Sequence, residues 1–209
     1  MDAPPDVAGG DVTTDSFADE IGYDPEGAQQ LLADAGYPDG EGFPGLSILI
    51  RDDPSNVATA EFIQSNVSET LGIEIEIEIV DAPTRSSRFT NEEFELFPGG
   101  WIQDYPDPEN WIVGLYDSDG GLNHYNCSNE RIDEIVEEAL YNTNNEERLE
   151  LYREANEIVS TTACGSAPLY HQGAHYLVSP ELQGPREYAD SKDRVIAGDW
   201  AVEEWYLEE

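Results

Sequence analysis

Residues 73–80 read IEIEIEIV, with isoleucine at 73, 75, 77 and 79 and glutamate at 74, 76 and 78. A period of two marks a strand, because successive side chains leave a pleated backbone on opposite faces. One face must meet a core and the other water, so the sheet is not covered on both sides here. The flanking segments say which kind of sheet this strand joins. Residues 46–50 predict a strand, 55–71 a helix closed by Gly72, 83–91 a short helix and 94–98 a third strand. Helical crossovers between successive strands imply a parallel, right-handed βαβαβ arrangement, an α/β fold. A further helix precedes it, with Asp24 as cap, Pro25 at the first helical position and Gly36 as the stop.

In open parallel sheets ligands sit outside the carboxyl ends of the strands. The segment leaving the third strand there is GGWIQDYPDPENW, residues 99–111. Asp104 lies three residues after Trp101 and beside Tyr105, with Pro106 and Pro108 limiting backbone freedom. A carboxylate partly desolvated by aromatic walls pairs strongly with a cation that satisfies its lone pairs, and a primary ammonium does so. Trp101, Asp104 and Tyr105 are therefore the candidate ligand-binding residues, in a recognition site rather than a reactive one.

Charge narrows the partners. The 209 residues include 46 acidic and 9 basic side chains, a formal net charge of -37, and Lys192 is the sole lysine. Nucleic acid is excluded as a partner, since phosphate binding needs clustered Lys and Arg, and an anionic membrane surface is disfavoured likewise. The acids are interspersed with apolar periodicity, so they form a solvated surface. Molar salt shortens the Debye length to about 3 Å and screens their repulsion, which predicts a halophile's protein. No run of residues is apolar enough to span a bilayer, and the residues after Met1 carry no export signal.

Beyond the loop lies DSDGGLNHYN and then two amphipathic helices. Ser128 is the expected cap of the first, with Ile132, Ile135, Val136, Ala139 and Leu140 on one face. Asn144 caps the second, with Glu147 completing a capping box. Their short connection makes an antiparallel hairpin, which brings Cys127 and Cys164 to the same end. A disulfide, implying an oxidising compartment, and two separate buried thiols both fit that placement. Short strands with turns are expected in APLYHQGAHYLVSPELQG and WAVEEWYLEE.

Other chemistry is poorly supported. Only His124, His171 and His175 could serve a nucleophile, and none lies in a nucleophile-elbow setting. His171 and His175 have zinc spacing only on a helix, whereas their neighbours favour strands. Asp117, Asp119 and Gly120 resemble the start of a calcium loop, but its twelfth position is Ser128. Asp104, Asp107 and Glu109 could furnish a glycosidase-like carboxylate pair, although turn formation accounts for acids among prolines. No metal site, cofactor site or glycine-rich phosphate loop is expected. Asn66-Val-Ser and Asn126-Cys-Ser are glycosylation motifs.

YDPEGAQQLLADAGYPDGEGFPGLSILI, AEFIQSNVSETLGIEIEIEIVD, GGWIQDYPDPENW, NEERLELYREANEIV and APLY followed by YLVSPELQG occur in that order. Together they resemble the C-terminal part of family 5 extracellular solute-binding proteins, the peptide, dipeptide and nickel receptors of ABC importers. The resemblance covers roughly residues 2–184 and implies a periplasmic-binding-protein-like type II fold. It implies residues 23–182 as the smaller α/β lobe, with residues 1–22 as a lead-in and 183–209 returning toward a large lobe absent from this chain. It further implies that Asp104 accepts a peptide's α-ammonium, that Trp101 lines the pocket and that the loaded receptor docks on an ABC permease. Its location would be the extracellular face, secreted or lipid-anchored, in a salt-loving archaeon. Receptors for nickel chelates or sugars share the fold, and an inactive fragment or a carboxylate hydrolase stands as a rival.

Overall fold

The computed structural model describes residues 22–102, 104–105, 107–162, 164–170, 179, 181–183 and 206–207. These form two compact units that divide between Gly100 and Trp101. The lead-in, His171, His175 and most of the expected C-terminal strands lie outside the described residues. Among the described residues no helix is long and apolar enough to cross a membrane.

The first unit is built on the sheet. Helix α1 (Pro25–Asp34) is capped by Asp24, whose carboxylate accepts from Gly27 N at 2.9 Å. Strand β1 (Leu46–Arg51) leads to α2 (Pro54–Leu71), where Asp53 accepts from Ser55 N and Asn56 N. Gly72 closes α2 in left-handed backbone at φ 67°, and a Cβ there would sit 2.3 Å from Asp39 O, so glycine is required twice over. Strand β2 (Ile75–Val80) runs parallel to β1 in a register from Leu46↔Ile75 to Arg51↔Val80. Helix α3 (Ala82–Thr90) follows, capped by Asp81, whose carboxyl is held below its ordinary range by the backbone and hydroxyl of Thr84.

The third strand contracts to one parallel bridge, Ile48↔Leu96. Leu96 N donates to Ser47 O at 3.0 Å and Leu49 N to Leu96 O at 2.9 Å, which places β1 in the middle. The next rung would need an N–H from Pro98, which has none. Before the bridge, the Glu95 carboxylate takes the Ser47 N–H at 2.5 Å and the Ser47 hydroxyl at 2.8 Å, occupying the donor a longer ladder would use. Burial follows from this arrangement. Ile48, Leu49 and Ile50 of central β1 are enclosed, whereas on β2 only Ile75 is, with Ile73 buried just ahead of the strand. Ile79, expected on the buried face, is 51% exposed because it lies beyond the cluster formed with Ala60, Val57, Ile63 and Val67 of α2.

The second unit is helical. Helix α4 (Glu109–Tyr116) has no counterpart in the sequence reading, since its eight residues bury Asn110, Trp111, Ile112, Leu115 and Tyr116 and leave no amphipathic stripe. Helices α5 (Glu130–Tyr141) and α6 (Asn145–Thr162) form the hairpin. The α5 cap is Asn129 rather than Ser128, because the Asn129 side chain reaches Arg131 N and Ile132 N. Ser128 instead accepts at its hydroxyl from Ser118 at 3.5 Å. Leu140 is 62% exposed, while Ile132, Ile135, Val136 and Ala139 enter the core. Asn144 caps α6 through Glu146 N, but the Asn144 N–H donates to Asn142 Oδ1 and Glu147 accepts from Asn142, so the capping box does not close. Cys127 and Cys164 are joined in a disulfide with Cα atoms 5.0 Å apart. A short antiparallel pair, β3 (Leu182–Gln183) and β4 (Tyr206–Leu207), completes the unit.

Candidate functional site

The loop entering α4 holds the three candidate residues, and one buried side chain gathers them. Asn110, in the first turn of α4, is 9% exposed. Its Oδ1 accepts from the Trp101 indole Nε1–H at 2.9 Å and from the Asp104 backbone N–H at 3.0 Å. The same side chain acts on the Tyr105 hydroxyl. Asn110 suits this post because its carbonyl oxygen has two lone pairs and its amide two donors. Sequence reasoning passed over it, and the one signal available was an amide among acids at the start of a helix.

A second anchor is ionic. Asp107 accepts from Glu109 N at 2.9 Å, and Asn110 N donates to Asp107 O at 3.1 Å, which turns the chain into α4. Arg148 of α6 donates to the Asp107 carboxylate, and its guanidinium lies 5.0 Å from the centre of the Tyr152 ring. The Arg148 pKa is raised, first by the hydrogen bond to Asp107. Burial pushes the Tyr152 phenol up to about 12, with Arg148 acting in the opposite direction.

Tyr105 donates its hydroxyl to the Glu109 carboxylate, and that bond, then burial, raises its pKa, while Asn110 pulls it down. Two acids of the loop therefore have partners. Asp104 differs: it is exposed, and among the described residues no donor reaches its carboxylate. Trp101, expected to wall in Asp104, donates its indole N–H to Asn110 and packs against the helical core. Among the described residues the loop thus presents an exposed carboxylate without a donor, on a backbone held by the same amide that holds the half-buried Trp101 indole.

The remaining candidates fall into structural roles. Asp117 accepts from Asp119 N at 3.2 Å and, through its carbonyl, from Gly120 N at 2.8 Å, forming a turn. Among the described residues no group of three or more His, Cys, Asp or Glu could hold a metal ion. Asn66 lies within α2 and donates its side-chain amide to Phe62 O at 2.9 Å, while Asn126 is exposed in a loop.

Comparison with known proteins adds a family match over residues 1–123, to the bacterial extracellular solute-binding proteins, family 5 Middle. The heme-binding protein A of Haemophilus influenzae is 34% identical over 178 residues, covering 81% of this chain and 32% of that protein. A probable di/tripeptide-binding protein 5 of Pseudomonas aeruginosa is 28% identical, covering 78% of this chain and 31% of its own length. The chain thus spans about a third of the curated relatives it matches. Among solved structures, the substrate-binding domain of an oligopeptide ABC transporter from Bacillus anthracis superposes with a TM-score of 0.74 at 20% identity, over 94% of this chain and 37% of that one.

Proposed function

Because this chain belongs to the family 5 extracellular solute-binding proteins and has the α/β, type II periplasmic-binding fold, we propose that it is part of the substrate-binding component of an ABC importer that captures extracellular peptides. Asp104 accepts the ligand's α-ammonium, and Trp101 and Tyr105 flank it. The observation that carries this reading is the contrast within the loop. Asp107 and Glu109 have protein partners, whereas the Asp104 carboxylate has none among the described residues while its backbone is fixed by Asn110. A fixed, exposed carboxylate binds a cation without first breaking an internal ion pair.

Residues 23–182 act as the small lobe in this proposal, 1–22 as a lead-in and 183–209 as the return to the rest of the receptor. Further receptor chain supplies the other side of the site, and the loaded receptor docks on the permease at the outer face of the membrane, secreted or lipid-anchored. The excess of acid over base suits the brine around a salt-requiring archaeon. No covalent step is assigned to the loop, because recognition needs only charge and geometry.

The identity to a heme-binding relative gives a second reading. The chemistry at the loop favours the ammonium, since heme carries anionic propionates and would meet Asp104, Asp107 and Glu109. Calorimetric titration of the receptor containing this chain, in molar KCl, decides between them. A short-peptide pool with free amino termini is expected to bind at least about tenfold more tightly than the N-acetylated pool, with Asp104→Asn erasing the difference. Equal binding of the two pools, or binding of neither, removes the peptide assignment.

A further inference from the structure

In a chain with five times as many acids as bases, the described arginines are mostly tied to carboxylates. Arg51 pairs with Asp53, Arg88 with Glu78, Arg131 with Glu134, Glu138 and Glu154, and Arg148 with Asp107. Arg85 of α3 is different. Its polar contact is an Nη2–H donated to the Pro98 carbonyl at 2.7 Å, its guanidinium carbon lies 3.8 Å from the centre of the Phe97 ring, and its enclosed Nε–H meets no acceptor. Among the described residues no carboxylate pairs with it.

The local field leaves this cation further under-compensated. Burial holds Arg85 below the ordinary guanidinium range, Arg51 at the end of β1 acts in the same direction, and Asp53 offsets them only in part. A charge in such a setting is stabilised by an anion from outside, and an unsatisfied buried donor is itself a sign of a missing acceptor. The mounting is also rigid. Phe97 lies 4.4 Å from Phe89 and 5.2 Å from Phe94, centre to centre, so the guanidinium rests on a packed aromatic platform. Pro98 fixes one edge of the fork. Arg51 and Pro98 mark the carboxyl ends of β1 and the third strand segment, the side on which open parallel sheets place their ligands.

We infer that Arg85, seated on Phe97 and held by the Pro98 carbonyl, is the anchor of a second binding site that takes the carboxylate of a small solute. The planar guanidinium fork matches a carboxylate in a way that an ammonium cannot. The site lies wholly within the sheet unit, and neither Asp104 nor the peptide reading is needed for it.

The test follows the Arg85 Nε–H resonance in 1H–15N spectra of the chain at fixed salt, during titration with N-acetylglycine and, separately, with N-acetylglycinamide. Both probes lack an ammonium, so the result is independent of the loop at Asp104. The acid is expected to give a saturable shift and the amide none. Arg85→Lys should weaken the acid by about tenfold, read from the backbone amides of Arg51 and Leu96, and Arg85→Gln should abolish its effect. Phe97→Leu keeps the charge and removes the platform, so it serves if Arg85→Gln fails to fold, and it too should weaken binding. The assignment is overturned if acid and amide behave alike, if no saturable shift occurs, or if acid binding persists unchanged in Arg85→Gln or Phe97→Leu.

Discussion

In the sheet unit the most deeply enclosed side chains are Ile48, Leu49, Ile50 and Ala60, all apolar. In the helical unit Ile132, Ile135, Tyr116, Tyr152 and Val159 share the interior with Asn110, Asn123, Asn156 and Ser160. Two of the buried amides, Asn110 and Asn123, serve loops, whereas Asn156 lies within α6. Asn123 donates to Asp117 O at 3.0 Å and to Cys127 O at 2.7 Å, and its Oδ1 accepts from Cys127 N at 2.9 Å. Asn110 does the same for residues 101–105. A strand satisfies its backbone through its neighbour, whereas a loop has no ladder and needs side chains to supply partners. The unit that presents the candidate ligand loop is therefore the one with a polar interior.

This contrast can be broken most forcefully at the disulfide. Cys127 and Cys164 are 37 residues apart, and a closed loop of about that length contributes roughly 4 kcal/mol. Cys127→Ser with Cys164→Ser should lower thermal stability, with hydrogen-exchange protection lost mainly across residues 109–162. Equal loss across residues 46–80 would show that the two interiors do not act separately. Ile50→Ala is the counterpart in the sheet unit. With Ile50 fully enclosed, a cost of about 3 kcal/mol is expected in denaturant melts, with protection lost first in β1 and β2.

Asn110→Ala sharpens the polar side of the comparison. It strands two donors and should cost about 1–3 kcal/mol, with a shift in Trp101 emission. Asn110→Asp retains the acceptor and should leave the indole resonance close to that of the parent protein. Identical behaviour of the two variants would mean that Asn110 merely fills space. The smallest effect belongs to Ile79→Thr, expected within about 0.5 kcal/mol because the side chain is half exposed. A loss as large as that of Ile50→Ala would show that Ile79 is covered in solution.

The elements held together by local rules were legible without coordinates. Alternation marked β2, and the Asp24-Pro25 and Gly72 signals located a helix start and a helix end. Where two local signals competed, neighbouring residues did not separate them. Ser128 and Asn129 both qualify as caps, and only the backbone geometry chose Asn129. Helix α4 escaped because burial around most of its circumference removes the period on which such readings depend. Trp101, Asp104 and Tyr105 stood out as a chemical group, but the exposure of Asp104 and the lack of a donor to its carboxylate among the described residues did not.

The sequence alone determined the parallel strand–helix–strand plan, the acid-rich surface and a short, proline-stiffened aromatic loop. Each of these depends on periodicity, composition or neighbours within a few positions. Tertiary structure decided which carboxylates found partners, that Asn110 gathers the loop, and that Arg85 rests on Phe97 with no acid paired to it among the described residues. Those outcomes depend on which side chains meet once the core has closed, and burial changes the cost of a missing partner from negligible to substantial.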